Sequence, residues 1–429
     1  MNTARLFLSE PPEHLAQLDA LLVDREDEMA VARQQVESVL AEQVGRPLAF
    51  VGLARVGKSH LLRKLAAEVS DRFDAVADVR ISTGLSDGRE VHREMLQQAY
   101  SAVFSAASRR GVVDSDGRWP LASLDEIFAT YQEAVDGIAT EVEAELAHET
   151  TARLKSSLGL TPGLPVVASL LAGGSIGLSR DREDETRTSS QRRVLVRPLG
   201  EAALAELTGM AHALVHLAHP GWRTLLVVDD FDLLRRADDG GFEPDRLLQS
   251  LAMLAGIPGL FVLTTVRDDT YRRHGKAFQL LALVKPFADD AVLTAVYRRH
   301  VDLYYEGEDP FAGAFVAEAA ARSEGRIGVF LDLLREAFSL VPPAGRATLE
   351  LRTWVSGEWE ELERFEPQLA RHVVRAALGA GGIIDRNALA ELRASSLMRW
   401  VLEDYTSDLA ARVHPVLLSV LREDEAGIP

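Results

Sequence analysis

The sequence predicts an α/β protein, a parallel sheet with helices on both faces, and three observations carry that expectation. Short apolar runs alternate with longer amphipathic ones, the pattern of strands joined by crossover helices. A glycine-rich loop separates one apolar run from an amphipathic stretch, and another apolar run ends in two aspartates. At 429 residues, with 47% hydrophobic and 26% charged side chains, the chain is long enough for two or three packed units and is neither disordered nor fibrous.

Four runs read as strands: 47–51 (PLAFV), 75–81 (AVADVRI), 224–228 (TLLVV) and 260–266 (LFVLTTV), each β-rich and bounded by turn or charged residues. Between the first two, Leu62, Leu65, Val69 and Phe73 recur at helical spacing over 61–73. Residues 106–198 read as an insertion. It holds a polar helix candidate (124–155), an uncharged segment (156–179), and a charge-rich stretch (180–193) that reads as a solvated tip. After 266 the chain becomes helical, and 341–345 (VPPAG) is the best candidate linker. A helix over 358–378 precedes a short helix at 388–393 and hairpin strands at 397–404 and 412–417.

Composition removes several classes of function. With no cysteine, there are no disulfides, thiolate metal sites or cysteine nucleophiles, and a reducing, cytoplasmic setting is expected. A net charge of -18 argues against a surface that coats nucleic acid or an anionic membrane. The first 12 residues lack the pattern of a secretory signal. Segment 156–179 has the length of a bilayer span, but Pro162, Pro165 and five glycines would break a helix there, so no membrane contact is expected.

Gly52-Leu53-Ala54-Arg55-Val56-Gly57-Lys58-Ser59 matches GxxxxGK[ST] in full, after an apolar strand and before an amphipathic helix. The glycines let backbone N–H groups turn inward toward a phosphate chain, and the following helix, entered through His60, aims its positive end at the same anion. Lys58 is expected at the β and γ phosphates and Ser59 on magnesium. Asp229 and Asp230 close the strand at 224–228, at the end of the sheet where open α/β folds bind ligands. Asp229 would hold magnesium and Asp230 would orient or deprotonate the attacking water, while Asp232 fits a helix cap equally well. Thr264, Thr265 and Arg267 end a third strand, where a hydroxyl would sense the γ-phosphate and Arg267 would pair with phosphate.

These motifs, in this order, resemble the ASCE class of P-loop NTPases, and more narrowly the AAA+ ATPases of the origin-recognition-complex-like group and the related STAND signalling ATPases. Asp24-Arg25-Glu26-Asp27-Glu28 is similar to the Gly-Arg-Glu-x-Glu box of those families, with Asp24 in place of glycine; the resemblance gives Arg25 a part in seating adenine. Residues 323–331 stand where the families carry a Gly-x-Pro-Arg lid element. Ile327 replaces its proline and Gly328 its arginine, leaving Arg326 as a displaced lid sensor or a surface residue. Arg272 and Arg273 are arginine-finger candidates or solvated charges. The stretch from about 353 to 423 resembles a winged helix. There His414, followed by Pro415 where the family has aspartate, reads as a nucleotide contact or a structural histidine. Between 385 and 422 five arginines balance five acids, so no DNA-binding stripe emerges.

The resulting expectation is a P-loop NTPase (ASCE) core over 1–306, including the insertion, with a helical lid over 307–345 and a winged-helix domain over 346–429. It would bind ATP and magnesium and hydrolyse ATP. The expected output is a nucleotide switch, in bacterial signalling or defence, that governs homo-oligomerisation and engagement of a protein partner. A DNA-binding AAA+ loader or transposition-type regulator and a non-hydrolysing ATP-binding structural protein are the alternatives.

Overall fold

The computed structural model describes residues 6–8, 11–42, 46–79, 98, 102–103, 105–111, 212, 219–229, 258–268, 271–272, 280–305, 309–379, 382–384, 386–392, 395–402 and 411–426. Asp230, Asp232, Arg273, the uncharged segment 156–179 and nearly all of the insertion lie outside these residues.

Two helices, α1 (Leu15–Leu21) and α2 (Glu26–Glu42), precede strand β1 (Leu48–Gly52). Helix α3 (Lys58–Val69) follows the glycine-rich loop, then come β2 (Ala75–Val79), β3 (Thr224–Val228), β4 (Leu260–Arg267) and β5 (Leu280–Val284). These five strands form one sheet in the order β2-β3-β4-β1-β5, with parallel pairing throughout. Every residue of β1, β3 and β4 is buried, so both faces of the sheet's centre are covered. On one face Leu48, Phe50, Leu225, Val227, Phe261 and Leu263 pack against Met29 and Val36 of α2 and Leu61, Leu62 and Leu65 of α3. The sequence pattern misses β5. Three leucines and an alanine among its residues, LLALV, are good helix formers, and pairing with β1 at the sheet edge overrides that preference.

A second apolar core holds α4 (Asp290–Tyr304), α5 (Gly313–Arg322), α6 (Ile327–Leu340), α8 (Leu351–Phe365), α9 (Pro367–Leu378) and the C-terminal elements. It runs without interruption across the expected linker, which forms the short helix α7 (Pro343–Arg346). Arg346 pins that turn by donating to the Val341 carbonyl at 2.8 Å and lying 3.8 Å over the Phe338 ring. The helix expected over 358–378 is two helices. Glu366 leaves the helical conformation and Pro367 starts α9, its missing N–H being no loss in a first turn.

Among the described residues the hairpin differs from the expectation at both outer ends, 397–400 and 414–417 not being strand. β6 (Ile383–Ile384), β7 (Val401–Leu402) and β8 (Ala411–Val413) form a small antiparallel sheet in the order β6-β8-β7. Residues 396–400 form a 3₁₀ turn, α10 (Arg386–Leu392) precedes it, and Pro415 turns the chain into α11 (Pro415–Ala426) directly after His414. Leu6 and Phe7 enter the second core. Phe7 stacks on Tyr297 at 5.6 Å between ring centres and meets Phe311 at 6.1 Å. Among the described residues, no helix is long and apolar enough to cross a membrane.

Candidate functional site

The glycine-rich loop leaves the C-terminal end of β1, between β4 and β5, and turns through left-handed conformations at Arg55 (φ 64°) and Gly57 (φ 99°). Gly52 has no room for a side chain, because a Cβ there would lie 2.2 Å from the Val284 carbonyl oxygen of β5. Lys58 opens α3 and is buried. Its ammonium donates to the Gly52 carbonyl at 3.2 Å and the Leu53 carbonyl at 2.8 Å, so it is folded back over the loop.

Pairing of β3 with β4 sets Val228 beside Thr264, so Asp229 emerges next to Thr265. Asp229 Oδ1 accepts from Thr265 Oγ1 at 2.8 Å and from Ser59 Oγ at 3.1 Å. The carboxylate is 3% exposed, and Arg63 Nη2 stands 3.9 Å from Oδ2. Thr264 is turned to a structural task, donating to the Val228 carbonyl at 2.9 Å, and Arg267 is buried at the end of β4, level with Gly52. The Ser59 hydroxyl of the glycine-rich loop, the Asp229 carboxylate and the Thr265 hydroxyl of β4 therefore meet at one point. Hard oxygens from a serine and a carboxylate suit magnesium, which takes few protein ligands when substrate phosphates supply the rest.

The order of the strands decides the fold. A strand, β4, lies between the strand that feeds the loop and the strand that ends in Asp229. The fold is that of a P-loop NTPase. No protein-family model matches this chain, and no curated protein matches it. Similar solved structures include Cdc6p from Pyrobaculum aerophilum, at 11% identity and a TM-score of 0.42, covering 99% of each chain. The Aeropyrum pernix ORC1 protein in complex with DNA gives 14% and 0.34, over 96% of this chain and 94% of that one. Drosophila ORC bound to DNA gives 13% and 0.40, over 97% and 92%. At these identities and TM-scores the likeness adds nothing to the fold assignment, which rests on the chain's own loop and strand order.

Of three further predicted positions, Arg25 reaches the loop directly. The Arg25 guanidinium donates to the Val56 carbonyl at 3.1 Å and the Lys285 carbonyl at 2.8 Å, and lies 3.9 Å over the Phe287 ring. Burial lowers its pKa, opposed by the carboxylate of Glu28. It braces the loop from behind. His60 Nε2 meets the Leu18 carbonyl at 2.9 Å, and burial, with Arg63 nearby, pulls this histidine below its usual range. Arg326 is 3% exposed at the start of α6, 3.8 Å from Glu324. The same helix start docks on the loop: Gly328 N–H donates to the Arg55 carbonyl at 2.8 Å, and Arg55 pairs with Asp332.

His414 arrives from the far end of the chain. Burial, with Arg55 and Arg326 adding like charge, pushes its pKa down to about 3, so it is neutral at physiological pH. It donates its backbone N–H to the Trp400 carbonyl at 2.8 Å. Arg272, by contrast, is exposed and paired with Asp268 at 2.7 Å. Sequence reasoning missed Arg63 and Glu324. Arg63 sits one turn after Ser59 on α3, a spacing that by itself puts the two on one helix face.

Proposed function

We propose that the chain is an ATP-binding and ATP-hydrolysing molecular switch, acting in the cytoplasm, whose nucleotide state sets how the lid and a winged-helix unit (346–429) sit on the P-loop core. One observation carries the switch: the start of the lid helix docks on the glycine-rich loop, Gly328 N–H donating to the Arg55 carbonyl at 2.8 Å, and His414 of the C-terminal unit is buried near enough to Arg55 and Arg326 for their charge to help keep it neutral. Nucleotide phosphates entering there would be felt by all three parts at once. The reading extends to control of homo-oligomerisation and of a protein partner.

Catalysis of this type is positioning plus charge stabilisation. Lys58 leaves the Gly52 and Leu53 carbonyls for the β and γ phosphates. Ser59 and Asp229 would hold magnesium, which would supply neutralisation of the charge developing on the phosphate oxygens. Thr265 keeps Asp229 aligned through the hydrogen bond already present, Asp230 orients or deprotonates the water, and Arg267 and Arg326 answer the terminal phosphate. Arg25 acts through the Val56 carbonyl, fixing the loop that adenine and phosphates approach.

Lys58→Ala is expected to abolish nucleotide binding, and Asp230→Asn to bind ATP while losing at least tenfold in turnover. Parent-rate hydrolysis by Lys58→Ala would sink the assignment. Glu360, Glu361 and Glu363 are exposed on α8, an acidic face that suits a protein contact better than a phosphate backbone. Turnover that rose several-fold with duplex DNA and fell again with salt would replace the switch with a DNA-engaged loader.

A further inference from the structure

We infer that Arg63 is a resident cation of the magnesium site: it holds the Asp229 carboxylate when the metal is away and opposes the metal when it arrives. The inference rests on the Ser59–Asp229 assignment above and adds a positioning residue to it. Asp229 is 3% exposed, so its charge has lost most of its water and needs compensation from the protein. Two hydroxyls, from Ser59 and Thr265, serve Oδ1. On the other side of the carboxylate, Arg63 Nη2 lies 3.9 Å from Oδ2.

The guanidinium is not swinging in solvent. Its side chain is 20% exposed, and Nη1 donates to the Pro11 carbonyl at 3.1 Å, so the segment ahead of α1 fixes the fork against the metal carboxylate. Because Ser59 and Arg63 are four residues apart on α3, they project from one face in successive turns. A divalent ion held by Ser59 and Asp229 would therefore meet a fixed positive charge on the same carboxylate. An ammonium on a flexible stem could retreat; a fork tied to the backbone at Pro11 does so only by breaking that bond. Arg63 thus keeps the empty site assembled and sets a higher magnesium requirement than the oxygen donors alone would give.

The test uses the full chain and two readings, magnesium-dependent binding of a fluorescent ATP analogue and urea unfolding in EDTA. Arg63→Gln is expected to reach half-maximal analogue binding at roughly fivefold lower magnesium than the parent, the scale of one partly exposed ion pair. In EDTA the same variant should unfold at lower urea, and the deficit should shrink when magnesium and nucleotide saturate the site. A purely structural arginine would lose stability equally in both conditions. If Arg63→Gln does not fold, Asp229→Asn in the same chain should restore folding by removing the charge that Arg63 compensates. An unchanged or raised magnesium midpoint, additive effects of Arg63→Gln and Asp229→Asn on unfolding, or a failed rescue each overturns the inference. Should the parent bind no nucleotide at any magnesium concentration, the ATPase reading fails, and the unfolding cycle still decides the Arg63–Asp229 pair.

Discussion

His414 and His300 are both buried, and both are held far below the usual histidine range, at about 3. Burial is the main cause in each case, with Arg55 and Arg326 adding to it at His414 and His60 at His300. The consequence is a pH dependence whose sign follows directly. The unfolded chain takes up a proton on each histidine near pH 6.5 and the folded one does not until about 3. Stability is therefore complete above pH 6.5 and falls through the interval below it, at roughly 1.4 kcal/mol per pH unit for each histidine. Glu37 and Glu68, held low by hydrogen bonds from Arg72 and Arg33, lose their contribution only below their ordinary value of 4.5. Urea unfolding at pH 6.5, 5.75 and 5 reads the depressed histidines, His60 among them, against an opposite contribution from Glu336, whose pKa burial raises, and His414→Gln should remove one histidine's share of the slope. A slope unchanged by that substitution would mean that His414 is solvated in the folded protein.

Elements differ in how far the sequence disclosed them. β3 is read to the residue, because a continuous β-rich run buried on both faces leaves no competing period. The Ser59–Asp229–Thr265 meeting has its parts in places the pattern marks: Ser59 in the first turn of α3, Asp229 just beyond β3 and Thr265 near the end of β4. β5 was hidden by helix-forming leucines, and the break at Glu366 by apolar spacing that continues through Pro367. Phe7 and Arg63 act through contacts with segments remote in the chain, which no local period encodes. The docking of α6 on the phosphate loop belongs to this hidden class and gives a direct test. A Cβ at Gly328 would lie 2.8 Å from Arg55 Cβ and 3.2 Å from Arg55 Cα and O. Gly328→Ala must therefore push helix and loop apart, while alanine itself suits a helix interior. The expected result is a folded protein whose ATP-analogue affinity drops about tenfold, some 1.4 kcal/mol, measured by fluorescence titration. Parent affinity would show that the lid contact is dispensable for binding.

At the scale of the whole molecule, the described residues include an apolar cluster on one face of the sheet and another that combines lid and C-terminal helices, with the start of α6 docked on the glycine-rich loop. Three arginines cross that combination. Arg322 of α5 reaches Glu423 of α11 at 3.0 Å, Arg399 bridges Glu336 of α6 and Glu358 of α8 at 3.1 and 2.7 Å, and Arg412 of β8 donates to Glu324 at 3.1 Å. Partly exposed pairs of this kind fix orientation more than they stabilise; the cohesion comes from aromatic packing. Trp354 of α8 is central to it, with ring centres 6.2 Å from Phe315 of α5 and 6.4 Å from Trp400. Lid and C-terminal unit should then open as one cooperative body, separately from the sheet. Trp354→Ala removes a ring shared by both and is expected to cost about 3–5 kcal/mol of that body's stability. In hydrogen exchange, α5 and α11 should lose protection together by a common factor, while β1 and β3, whose side chains pack in the other core, keep theirs. Loss confined to α8–α11 would mean that the lid folds with the sheet, and the nucleotide signal would then have to cross a weaker boundary than the continuous core provides.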